Sequence, residues 1–104
     1  MGASKTFQYT HEQNKLARTA KALGHSARIT IVEHLVKNGL VTNETVMIIT
    51  KLSDGTIAQH LKELVVAGII TEVWIDRHYY VLTRDAQKMI GQLSGMMTGP
   101  LITE

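Results

Sequence analysis

The chain contains no cysteine, which removes disulfides, thiolate metal ligands and thiol redox chemistry from the functions open to it. No apolar run approaches the length of a membrane span, and Met1-Gly-Ala-Ser-Lys5 lacks the apolar core of a secretory signal, so a cytoplasmic location is expected. Charge of one sign is scarce as well. Eleven Lys and Arg against nine Asp and Glu leave a net charge of +2, which permits nucleic-acid binding without demanding it. There is no phosphate-cradling glycine loop, no His-Glu-x-x-His pattern, and no spacing that gathers Ser, His and Asp residues. The expectation is no enzyme and no cofactor. Repeats, low-complexity tracts and linkers are absent too. The 104 residues read as one domain with a modest core that dimerisation would help.

What is present is ordered. Residues 1–10 read as a polar arm, 11–97 as the folded domain and 98–104 as a tail. Leu16, Ala20 and Leu23 form a helical stripe from about His11 to Leu23, and Gly24 stops it. Ser26 is placed to cap a second helix to about Lys37, with Ile29, Val32, Leu35 and Val36 as its buried stripe and Asn38-Gly39 as its end. Thr42 or Asn43 opens a short third helix to about Lys51, with Val46, Ile49 and Leu52 inward. The β-branched run from Val46 to Thr50 leaves a strand open there.

A fourth helix, capped by Ser53 and closed by Gly68, turns Ile57, Leu61 and Leu64 to a core. Its other face carries Gly55, Thr56, Gln59 and Lys62, small or hydrogen-bonding groups suited to a DNA major groove. The period then changes. Ile70–Ile75 and His78–Thr83 are β-prone runs around Asp76-Arg77, a hairpin whose connector lacks glycine and is expected to exceed two residues. A last helix from Asp85 to Met97 carries Met89, Ile90, Leu93, Met96 and Met97. The class is mainly α with a small β-hairpin (α+β), in the order α-α-α-α-β-β-α of a winged helix-turn-helix.

Three stretches add a resemblance. Leu23-Gly-His-Ser-Ala-Arg-Ile-Thr-Ile-Val-Glu-His-Leu35 is similar to a pattern LGxxxRxxILxxL. Thr56-Ile-Ala-Gln-His-Leu-Lys-Glu-Leu-Val-Val-Ala-Gly-Ile-Ile70 is similar to TVSxHLxxLxxAGLV, and Tyr79-Tyr-Val-Leu82 is similar to xYxL. Together they resemble the ArsR-type family of winged-helix repressors over roughly residues 15–83. The resemblance implies a homodimeric DNA-binding transcriptional repressor whose first and last helices pack across a two-fold axis. Leu16, Met89, Ile90, Leu93, Met96 and Met97 are the interface candidates. The alternative is that the methionine stripe packs on its own first helix. A small-molecule effector of unknown identity would be a further partner.

The chain also departs from that pattern. His11, His25, His34, His60 and His78 are scattered, and Asp85–Met97 holds no histidine, so no metal site is expected. Ala58 stands where the pattern has serine, and Asp54 at the helix start suits the dipole but repels phosphate. The wing is nearly neutral, with Glu72 and Asp76 against Arg77 and His78. Thr56, Gln59 and Gly55 are the candidates for reading bases in a double-stranded operator, with Gln59 able to bond adenine twice. Lys51, Ser53, Lys62, Arg77, His78 and Arg84 are the candidates for phosphate. Trp74 and Tyr79 are expected to pack the hairpin onto the helices, with an exposed contact as the alternative, and Tyr80 to lie in the core. The competing function is a winged-helix module for protein association with weak or no DNA binding.

Overall fold

The computed structural model describes residues 8–98, with side chains described as far as Gln92. Within them run α1 (His11–Ala22), α2 (Ser26–Asn38), α3 (Asn43–Thr50), α4 (Asp54–Val66), β1 (Ile70–Trp74), β2 (His78–Leu82) and α5 (Arg84–Thr98). The order is the expected one. Most of the arm, the tail beyond Thr98, and the side chains of Leu93, Met96 and Met97 lie outside the described residues.

Local chemistry explains the boundaries. Thr10 and Gln13 form a reciprocal capping box at α1, with the Gln13 amide donating to Thr10 Oγ1 at 3.0 Å and the Thr10 amide to Gln13 Oε1 at 2.9 Å. Thr42 caps α3 by accepting from the Thr45 amide at 3.2 Å, so the β-branched run from Val46 to Thr50 is a helix rather than a strand. Gly68, at φ +75°, closes α4. Its N–H meets the Val65 carbonyl and the Ile69 N–H meets the Leu64 carbonyl, each at 2.9 Å.

Four local expectations need correction. Ser26 is the first residue of α2 rather than its cap; His25 occupies the cap position and makes no side-chain cap bond. Ile29 and Val36 face outward, and the buried arc of α2 is Ile31, Val32 and Leu35. On α1 the buried residues are Thr19 and Ala22, while Ala20 is exposed. Ser53 occupies the α4 cap position, but its hydroxyl lies 3.1 Å from Thr56 Oγ1 instead of on a backbone N–H.

The core gathers around α2, where Ile31 and Leu35 meet Val46 of α3, Ile57, Leu61 and Leu64 of α4, and Ile69 and Ile70 beyond it. Ala22 of α1 and Ala86 of α5 complete it. The β1–β2 pair is antiparallel, with Ile70 opposite Leu82 and Trp74 opposite His78. Val41, just before α3, exchanges two backbone hydrogen bonds with Tyr80 at 2.9 and 3.0 Å, tying the hairpin to the helices. The loop spans Ile75, Asp76 and Arg77, longer than two residues as its missing glycine implies.

Candidate nucleic-acid interface

α3 and α4 are joined by Lys51, Leu52 and Ser53. Lys51 takes a left-handed conformation (φ 59°, ψ 31°) while its N–H donates to the Met47 carbonyl at 2.9 Å. That reversal, with Leu52 half-buried against the core, aims α4 across α3. Ile57, Leu61 and Leu64 pin one side of α4, so Gly55, Thr56, Ala58, Gln59 and Lys62 are left on its exposed surface. The three expected base-reading residues share that surface. Gln59 is not idle on it, because its Nε2 donates to Glu63 Oε2 at 2.9 Å.

Lys51, Ser53, Lys62, Arg77 and Arg84 are all exposed. His78 is different. Its Nε2 lies 2.8 Å from Glu72 Oε1, a close approach without hydrogen-bond alignment that becomes an ion pair when the ring is protonated. Trp74 stacks on the same ring at 4.6 Å between centroids, and Tyr80 tilts against it at 4.8 Å. His78 is thus held within the hairpin by Glu72, Trp74 and Tyr80. Tyr80 is half-buried against the core as expected.

Trp74 overturns its expectation. It does not pack the hairpin onto the helices but is 74% exposed, and Ile75 beside it is 72% exposed. Tyr79, half-buried, donates its hydroxyl to Asp76 Oδ1 at 2.9 Å. That hydrogen bond holds the Asp76 carboxyl below its usual range and raises the tyrosine above its own. Between α3 and the loop lies an open groove of about 400 Å³ lined by Asn43, Glu44, Asp76, Arg77 and His78. Its two carboxylates leave Arg77 as the fixed cation of the wing.

Behind α4, Arg28 bridges three helices. Its Nη1 donates to the Ala22 carbonyl and its Nε to His60 Nδ1, both at 3.1 Å. His60 must be unprotonated on Nδ1 to accept. Burial, then the Arg28 charge, then His25 hold its pKa below the usual 6.5. Stability tied to neutral His60 is thus fully present above the unfolded value and is lost as pH falls through the lower folded one. A His60→Gln variant should lose less stability than the parent between about pH 8 and about pH 5, read as urea midpoints. Equal losses in the two proteins would refute this role.

At the opposite end, α1 and α5 flank an open groove of about 540 Å³ lined by residues including Leu16, Lys88 and Met89. Lys15 Nζ meets Asp85 Oδ2 at 2.9 Å across it, and Thr19 Oγ1 approaches Met89 Sδ at 3.1 Å. Met89 thus touches its own first helix, yet neither it nor Leu16 belongs to the central core cluster. Ile90 packs on that core instead, half-buried.

A helix pair joined by a tight turn, the second helix exposed at its start, and a hairpin bonded back to the first have close counterparts among solved structures. HlyU from Vibrio cholerae superposes with a TM-score of 0.69 at 19% identity, over 85% of this chain and 97% of that one. The homodimeric winged helix-turn-helix DNA-binding domain of Mb0332 from Mycobacterium bovis, a possible ArsR-family regulator, gives 0.72 at 21%, over 88% and 86%. The chain adopts the winged helix-turn-helix fold. NolR from Sinorhizobium fredii gives 0.64 at 24% identity, over 83% and 88% of the two chains. No protein-family model and no curated protein sequence matches the chain.

Within this winged helix, Arg28, Glu63 and Thr83 were not singled out by sequence. Thr83 joins two ends of the fold, donating to the Gly68 carbonyl at 2.6 Å and accepting from the Ala86 amide at 3.0 Å as the cap of α5. The signal for it was a threonine two residues before Asp85 at a helix start. Among the described residues, no group of three or more His, Asp or Glu side chains is placed to hold a metal ion, and no helix is long and apolar enough to cross a membrane.

Proposed function

We propose that this chain is a sequence-specific, double-stranded-DNA-binding transcriptional repressor that works as a cytoplasmic homodimer. The observation that carries this reading is the exposed surface of α4, where Gly55, Thr56, Gln59 and Lys62 lie together over a helix fixed by three buried side chains. A helix so presented enters a major groove by its first turns, with Thr56 and Gln59 at base edges. Lys51, Ser53, Lys62, Arg77 and Arg84, all exposed, are the candidate phosphate contacts. Support for two copies comes from the groove between α1 and α5 and from the homodimeric state of the Mycobacterium bovis domain. Two α4 helices would then read half-sites about one helical turn apart.

The test is binding to a pool of promoter duplexes at low and raised salt. Affinity should fall steeply with salt, and Lys62→Ala should reduce the log–log slope by about one while leaving sequence preference unchanged. Undetectable binding at low salt would remove the repressor reading. It would favour the second one, protein association, which the exposed Trp74 and Ile75 at the wing tip support.

A further inference from the structure

Glu63 stands one turn after Gln59 on α4, and its Oε2 receives the Gln59 side-chain N–H at 2.9 Å. A carboxylate only accepts hydrogen bonds, so the amide nitrogen must face it and the amide cannot be reversed without losing the bond. Glu63 is partly buried, whereas Gln59 is exposed. The anchored partner therefore dictates the orientation of the exposed one. Fixing the amide in this way leaves Gln59 Oε1 as the end that points away from Glu63.

We propose that Glu63 is a positioning residue that makes Gln59 read DNA through its carbonyl oxygen, selecting a base that offers a major-groove donor. This rests on the DNA-binding reading above and sharpens it. Adenine N6 and cytosine N4 are the donors on the groove floor, while guanine and thymine present acceptors to the same oxygen. Without Glu63 the amide turns freely and can offer either its oxygen or its nitrogen, so all four bases become acceptable. The bidentate adenine contact expected from glutamine alone is one case of this selection. Cytosine is the other, and rejection of guanine and thymine is what distinguishes a held amide from a free one.

The decisive experiment selects bound duplexes from a random pool with the parent, Glu63→Ala, Gln59→Ala and the double variant. The parent should enrich adenine or cytosine at one position per half-site, with discrimination of about tenfold for the single hydrogen bond. Glu63→Ala should flatten that position alone, keeping the other positions and the salt slope. The double variant should match Gln59→Ala, because Glu63 acts only through Gln59. A general weakening of α4 would instead lower affinity at every position, and that result overturns the proposal.

A second measurement needs no DNA. The Gln59 side-chain amide proton bonded to Glu63 should resonate downfield in the free protein and shift upfield in Glu63→Ala. An unmoved amide, or unchanged selected sites in Glu63→Ala, overturns the role of Glu63 while leaving DNA binding standing. Failure of the parent to enrich any duplex overturns the repressor reading itself, and this inference with it.

Discussion

A Leu64→Ala variant is expected to unfold with about 2–5 kcal/mol less free energy than the parent. Leu64 is fully buried, and its carbonyl also receives the Ile69 N–H that closes α4. Truncating it removes dispersion contacts and leaves a cavity between α4 and the core around α2, which close-packed neighbours refill only in part. Against a total stability of about 5–15 kcal/mol, that is a large share. Val66→Ala is the control two residues on. Val66 is 74% exposed, and its truncation should change stability by no more than about 0.5 kcal/mol. Urea unfolding with an unchanged slope measures both. A loss below about 1 kcal/mol for Leu64→Ala would show that α4 is not seated on the core as described.

The contrast between those two valine and leucine positions also shows why α4 was readable and α2 was not. On α4 Ile57, Leu61 and Leu64 fall on one arc, and the residues opposite are polar or small apart from Val66 in the last turn, so one orientation fits. On α2 the apolar arc is wide: Ile29 and Val36 adjoin Ile31, Val32 and Leu35 and are as hydrophobic. The choice was made by Arg28, whose guanidinium turns inward to Ala22 and His60, and periodicity cannot weigh an inward arginine.

The hairpin was legible to a different depth. Alternation puts Ile70, Glu72 and Trp74 on one face, opposite Leu82, Tyr80 and His78. That face is buried at Ile70, partly covered at Tyr80 and open at Trp74. Sequence gives the face but not how far the strands run past the helices, and so Trp74 was misplaced. The same ladder holds His78 against Glu72 and Tyr80, while Arg77 in the loop is left exposed. At the candidate site, exposure was readable because it follows from the buried arc of α4. The bond between Gln59 and Glu63 was not, since an i, i+4 pair on a helix surface is available in many sequences and made in few.

Leu16→Asp should convert the proposed dimer to a monomer and weaken binding to the proposed operator by about 10²–10⁴-fold. Leu16 is half-buried and lines the groove between α1 and α5 with Met89, outside the central core. A second copy packed on Leu16 and Met89 would replace their apolar contact with a buried carboxylate beside Glu12 and Asp85, which line the same groove. Two half-sites read by one dimer bind as a linked pair, and separation removes that linkage without touching Thr56, Gln59 or Lys62. Affinity for an isolated half-site should therefore hold while affinity for the full operator collapses. Sedimentation equilibrium gives the mass, and circular dichroism confirms that the protomer keeps its helices. A parent that sediments as a monomer, or a Leu16→Asp variant that stays dimeric with full operator affinity, would place the interface elsewhere. In that case, the groove between α1 and α5 would have to be reassigned to another ligand.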